Sequence, residues 1–463
     1  MRREQFDMES RNAQKSWSLR RVSPSQRQGE ALKRFPTMLR SMALLATGTA
    51  AGQVISFALM PVITRLYSSA DYGVFGVFTA LVTILGSVVG LKFEAAILLP
   101  PRTRRGAKTV YGLFRLSIVC STVVSSALFV VALILHFFFG GAFFATLGGW
   151  LLLVPVSALI SGISLTLSAV ATRDGSYRQL SRVPVSQKLS SGGLQILGGL
   201  AGAGVLGLIM GAVTQSLVAI GILLRGRGQF VKDALDRFQP KDKLTKLVSE
   251  YRDFPLVGAP NSLLETMAWN SQVVILAWFY AANDLGLFSF ALAAVGLPLN
   301  VILSGVSRVY LRESAARKEN PAEARKLFFR LLIGLSLASV PVFIVLYLAS
   351  RYLFGPIFGE NWAVAGLIAQ SLLPLLWARF MSTTVATTFT VYRTQTWLLW
   401  WQLLALLVVS AGYIIGGTIG FSIEHTVALA SWMTVPLYLL LIPLAYYVLR
   451  RGGREPYVAV PES

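Results

Sequence analysis

The feature that most constrains this chain is a rhythm. Long apolar runs recur along it, separated alternately by basic and by nearly uncharged connections. A run of about 20 apolar residues, at ~1.5 Å per residue, crosses a bilayer as a helix. Twelve such runs can be read, at approximately 42–66, 72–96, 112–135, 142–168, 184–203, 205–224, 256–280, 285–308, 328–350, 362–390, 395–418 and 426–448. Only 14% of the residues are charged and 54% are hydrophobic, whereas soluble domains carry about 25% charged residues. The expected class is an all-α integral membrane protein with twelve transmembrane helices.

The charges test that count independently, because cytoplasmic connections of membrane proteins are enriched in Lys and Arg. The 101–109 connection holds Arg102, Arg104, Arg105 and Lys108, and the 172–183 connection holds Arg173, Arg178 and Arg182. The 225–255 connection is basic from Arg225 to Arg252, and 309–327 carries Arg312, Arg317, Lys318, Arg325 and Lys326. The alternate connections are almost bare. Of 42 basic residues, only Arg65 and Arg351 fall on the other side. Both termini are therefore expected in the cytoplasm. Residues 1–40, with ten Lys/Arg, four acids and no apolar run, read as a disordered basic tail. The other expected divisions are a first lobe at 41–225, a basic linker at 226–255, a second lobe at 256–450 and a tail at 451–463.

Several chemistries are excluded. The net charge of +21 is spread over the connections, with no separate basic domain to bind nucleic acid. The single cysteine, Cys120, cannot pair within the chain, and the only histidines, His136 and His425, are 289 positions apart, so no metal site is expected. No G-x-x-x-x-G-K-[ST] loop occurs, which argues against ATP hydrolysis.

One motif is written twice. YSSADYGVF at 67–75 and YAANDLGLF at 280–288 are both Tyr-x-x-x-Asp-x-Gly-x-Phe, offset by 280 − 67 = 213. Phe114-Arg115-Leu116 and Phe139-Gly140 recur as Phe329-Arg330-Leu331 and Phe354-Gly355, offset by 215. These echoes fall at equivalent points of two halves and indicate an internal duplication. Six spans per half is an even number, so the lobes are parallel repeats around a central cavity. Locally the motif is structural: Asp71 and Asp284 cap helices, Gly73 and Gly286 permit close contact, and the tyrosines and phenylalanines anchor at the membrane interface.

The stretch PVITRLYSSADYGVFGVFTALVTILGSVVGLKFEAAILLP at 61–100 resembles the first spans of bacterial polysaccharide-export flippases. SEYRDFPLVGAPNSLLETMAWN at 249–270 resembles the start of their second half. That family belongs to a superfamily shared with multidrug extruders and the lipid II flippase, and the resemblance covers about residues 40–450. It implies twelve spans in two six-helix lobes. It also implies translocation, in the bacterial inner membrane, of a lipid-linked oligosaccharide carried on undecaprenyl diphosphate. Membrane lipids and polysaccharide polymerase machinery are the implied partners.

Charges within the spans are the candidate functional groups, since each is costly in lipid. Lys92 lies about 31 Å along its helix from Asp71, at the expected cytoplasmic edge. Lys92 and Glu94, two residues apart, are not expected to share a helix face. Lys188 and Arg308 are placed at similar cytoplasmic ends, and Arg65 near the outer end of its span. Arg379 and Glu265 lie deeper, Glu265 about 14 Å in, with Asn261 and Asn270 on the same helix. Arg65, Lys92, Lys188, Arg308 and Arg379 are candidates to attract a diphosphate, which guanidinium binds in a bidentate fork. Glu265 and Glu94 are candidates for a charge pair, Glu265 with Arg379, or for a coupling proton or sodium ion. No cofactor is implied. The competing reading is a cation-coupled multidrug extruder, which would favour an acidic cavity. A membrane-embedded glycosyltransferase or polymerase would need a sizeable catalytic loop, and the outer connections are too short for one.

Overall fold

The computed structural model describes residues 24–138, 146–236, 241–317, 320–392 and 394–451. All regular structure among them is helical. The long helices are α1 (Pro24–Leu66), α2 (Ser69–Gly86), α3 (Arg104–Phe138), α4 (Leu153–Arg173), α5 (Tyr177–Leu200), α6 (Val205–Leu224), α7 (Ala259–Leu276), α8 (Ala282–Ala316), α9 (Pro321–Phe358), α10 (Ala363–Val391), α11 (Gln395–Ile419) and α12 (Ile423–Arg451). Among the described residues, nine stretches of helix are long and apolar enough to cross a membrane, against the twelve spans expected. The helices outside that set are α5, α7 and α8, of which α8 has a shorter described apolar stretch, Ala282–Gly296. α5 carries a polar series from Ser186 through Gln187, Lys188, Ser190 and Ser191 to Gln195, which dilutes its hydropathy.

Large side chains face outward, as lipid permits and water does not. Leu337, Val345 and Leu348 on α9 and Val123 on α3 are all more than 60% exposed. α10 is the most enclosed, with 61% of its apolar window buried against 17% for α3 and α9. That contrast puts α10 at the centre of its half and α3 and α9 at the periphery. In the first half α1 packs on α5, α5 on α6, and α4 on α3, α6 and α2. In the second, α10 packs on α12, α9 and α8, and α11 on α7 and α12. The halves meet where α2 lies against α8 and α7, and where α1 touches α8 and α9.

Two expectations are corrected, and the linker gains detail. The second span was expected to run to 96, but α2 stops at Gly86 and the chain turns through Leu91 (φ 48°) and Lys92 (φ 61°) into a short helix at Phe93–Ala96. Residues 24–40 of the expected tail extend α1, while 1–23 and 452–463 lie outside the described residues. The 226–255 linker contains helices at Gly228–Asp236 and Lys241–Glu250. Both are amphipathic: Ala234 and Leu247 are buried while Lys232 and Lys246 are exposed.

Candidate functional site

The two copies of the duplicated motif meet. A Cβ on Gly73 would fall 1.9 Å from the carbonyl oxygen of Ala282, and one on Gly286 would fall 1.7 Å from that of Ser69. Only glycine allows backbones this close. Ser69 also donates a hydrogen bond to the Asn283 side-chain oxygen across the contact. Each tyrosine then ties its copy to the fifth and sixth helices of its own half. Tyr67 donates to the Gln195 carbonyl on α5, and Tyr280 contacts the Phe421 carbonyl and Thr426 at the α11–α12 turn.

Aromatic rings close the seam beside the glycines. Tyr72 stands 5.0 Å from Trp362, and Phe290 stands 4.6 Å from Trp362 and 4.9 Å from Phe358. The Trp362 indole donates to the Thr64 carbonyl, and the Thr64 hydroxyl to the Phe358 carbonyl, fastening the end of α1 to the end of α9. Tyr67 is 5% exposed and Phe288 fully buried, so these motif rings sit inside protein rather than in an interfacial belt. Asp71 closes a capping box with Ser68. The equivalent turn has Ala281 at its N-cap and no side-chain cap bond, leaving Asp284 in the first turn of α8. Alanine there offers no hydroxyl for a box.

One to three turns beyond the glycines lies a cavity of about 240 Å³ between α2, α7 and α8. Its polar lining is neutral: Thr79, Thr83, Asn270 and Ser289, with Trp269 as the aromatic wall. The Ser289 hydroxyl is buried and has no hydrogen-bond partner among the described residues. Behind Trp269 sits Arg379, its guanidinium carbon 3.2 Å from the ring centroid. Arg379 is partly buried at the centre of α10, and Glu265 and Tyr438 lie within electrostatic reach. No ion pair joins Glu265 to Arg379 among the described residues; the arginine is held by the indole face instead. Glu265 is exposed one turn from Trp269 on the same face of α7, and Asn261 continues that stripe a turn further.

The remaining charges are scattered. Lys188 lies midway along α5, not at a helix end, and donates to the Gln215 side chain on α6 at 3.2 Å. Gln215 in turn donates to Ser191. Lys92 pairs with Glu94 at 3.9 Å, contrary to the helical spacing argument, because the left-handed turn at Leu91 and Lys92 folds the two together. Gly258, just before α7, lies against the Lys92 stem. Arg65 is exposed beside Gly359 at the sealed seam and does not line the cavity. The Arg308 side chain and Phe139-Gly140 lie outside the described residues. Trp269 was not singled out from the sequence, although its place four residues after Glu265 was a signal. Arg227 was also missed: only 7% exposed, it binds Asp174, Ser176, Gln179 and the Leu223 carbonyl.

Comparison with known proteins adds family and fold. Residues 62–366 match the profile of the family described as polysaccharide biosynthesis protein. No curated protein matches the sequence. An inward-facing multidrug resistance MATE family transporter of the MOP superfamily superposes with a TM-score of 0.69 at 13% identity, covering 87% of this chain and 94% of that one. The lipid II flippase MurJ, in an inward closed conformation, gives 0.64 at 11% identity over 89% and 90%. A MOP superfamily transporter from Pyrococcus furiosus, described as having a binding pocket of reversed polarity, gives 0.57 at 13% identity over 89% and 95%. At these identities the likeness is one of fold.

Proposed function

The chain belongs to the polysaccharide biosynthesis protein family, and from that premise we propose that it is a flippase for lipid-linked oligosaccharide repeat units. The unit, carried on undecaprenyl diphosphate, crosses the bacterial inner membrane for exopolysaccharide, capsule or O-antigen assembly, where polymerase machinery receives it. The observation that carries this reading is Arg379 stacked on Trp269, whose ring lines the cavity between the halves. A guanidinium held by an aromatic face keeps its fork for phosphate oxygens. The neutral hydroxyls and amide of the cavity suit a hydroxyl-rich sugar, and among the described residues no acidic side chain lines it to draw a cationic drug.

Transport follows by alternating access between two parallel lobes, 41–225 and 256–450, linked by 226–255. With the basic connections and both termini in the cytoplasm, the motif-bearing end is the outer end, and the sealed seam corresponds to an inward-facing state. The cavity is smaller than the usual ligand pocket of about 300–1,000 Å³, so the lobes have to rock apart to admit a repeat unit while the lipid tails stay in the bilayer. Glu265, one turn before Trp269 on the same face of α7, is the group assigned to a coupling proton or sodium ion. No covalent step is needed.

Deletion of the gene followed by lipid analysis tests this. The expected result is a build-up of lipid-linked repeat units facing the cytoplasm. Arg379→Ala, inserted at normal level, should fail to restore polymer; normal secretion from it would remove Arg379 from the mechanism. Unchanged polymer with lost drug resistance would move the assignment to a multidrug extruder.

A further inference from the structure

A second cavity, of about 640 Å³, lies away from the space between the halves. It is formed where the turn before α5 faces the turn after α6, and Leu44 of α1 lines its rim. Three arginines line it: Arg178, Arg225 and Arg227. They do not play the same part.

Arg227 is the builder. Its Nε donates to the Asp174 carboxylate at 3.1 Å, one terminal nitrogen donates to Gln179 at 2.6 Å and the Leu223 carbonyl at 2.8 Å, and the other donates to Ser176 at 2.6 Å. These bonds clamp the two turns together and neutralise Asp174, the acidic residue of the lining. Arg178 and Arg225 are left exposed, and neither guanidinium has a partner among the described residues. The cavity thus presents two uncompensated guanidinium groups on a rigid floor. Its volume falls within the range of about 300–1,000 Å³ seen for ligand sites.

Its depth points to the ligand. Leu224, next to the lining residue Arg225, ends α6, and Leu44 is at the start of the apolar stretch Ala43–Leu66. Both mark the boundary between apolar span and polar connection, the level of lipid headgroups. Arginine forks match phosphate oxygens, and basic pockets between helices at this level take phospholipid headgroups. We infer that this cavity binds the phosphate group of an anionic membrane lipid, with the acyl chains running along α1 from Leu44. Binding there would brace the α4–α5 and α6–linker turns of the first half.

The test uses the full chain in detergent micelles, with retained lipid measured by native mass spectrometry. Phosphatidylglycerol is the probe and diacylglycerol the phosphate-free control. Each arginine near a headgroup contributes enough that the double variant Arg178→Gln/Arg225→Gln should bind phosphatidylglycerol about thirty-fold more weakly. Its melting temperature without added lipid should match the parent, because neither side chain holds the fold. Lys108→Gln/Lys232→Gln, which removes the same charge elsewhere on the protein, should bind as the parent does. Equal retention by the parent and the arginine double variant overturns the site. Equal weakening by the lysine pair also overturns it, since the attraction would then be diffuse. Displacement of phosphatidylglycerol by millimolar inorganic phosphate overturns the lipid assignment in favour of a soluble phosphate.

Discussion

Substituting Gly286 by Ala should prise open the seam at the motif end. The added Cβ would lie 1.7 Å from the Ser69 carbonyl oxygen, 2.6 Å from its carbon and 3.0 Å from the Gly73 nitrogen. All three are backbone atoms, so no side chain can swing aside. Close-packed interiors cannot absorb such an overlap, and α2 and α8 have to part by about 1.5 Å or more. Overpacking of this kind costs about 1–3 kcal/mol, borne by the sealed conformation alone if the opposite conformation separates these helices. That is about a 5- to 150-fold shift against the sealed state. Ser69 and Asn283, hydrogen-bonded across the seam, provide the gauge. In a Cys120→Ser background, Ser69→Cys/Asn283→Cys should cross-link readily under oxidant, and adding Gly286→Ala should cut the yield several-fold in intact membranes. Gly73→Ala should act alike, its Cβ meeting Ala282 at 1.9 Å. An abundant, folded Gly286→Ala protein with undiminished cross-linking would refute the claim that the glycine contact holds the sealed state.

Trp269→Leu removes the ring beneath Arg379 and should cost about 1–2 kcal/mol, read as a lower melting temperature in detergent, with transport lost as well; Arg379→Lys should not restore transport, because an ammonium lacks the planar fork. Arg227→Ala unclamps the turns before α5 and after α6 and should cost about 2–3 kcal/mol, seen as faster proteolysis within 225–255. Tyr67→Phe and Tyr280→Phe each leave a carbonyl without its phenol donor, so each should lose about 1 kcal/mol; lying in different halves, their effects on thermal unfolding should add within about 0.5 kcal/mol.

The sequence was most informative where one local signal decides the outcome. The span read at 205–224 is α6 to the residue, and 395–418 differs from α11 by one position, because apolar run length alone specifies a membrane helix. It was least informative at VVGLKFEAA, where the apolar pattern continues through a break. Left-handed backbone at Leu91 and Lys92 is unusual for such residues. The turn is set by tertiary contact, with Gly90 pressed against Glu94 and Ser117, and no nearby residue announces it. The Lys92–Glu94 pair was hidden for the same reason. Position along a helix is readable from sequence, as with Arg379 at the middle of α10, but azimuth across helices is not. A Glu265–Arg379 pair is one expectation from opposite charge, whereas an indole face on α7 holds the arginine. The motif's repetition was plain; that its copies touch required the fold.

That contact has a reciprocal form. Shifted by the offset of 213, Ser69 corresponds to Ala282 and Gly73 to Gly286, and the close approaches are Gly73 to Ala282 and Gly286 to Ser69. Residue i of one copy meets j of the other while j meets i, the arrangement of an isologous dimer across a two-fold axis. The seam is therefore self-complementary, as it would have been between two identical half-length chains before fusion. A consequence is that the covalent connection is dispensable for recognition. Polypeptides 1–236 and 241–463, produced separately in one cell, should find each other through this surface and restore the intact fold, and a steric change in one copy should be rescued by a compensating one in the other.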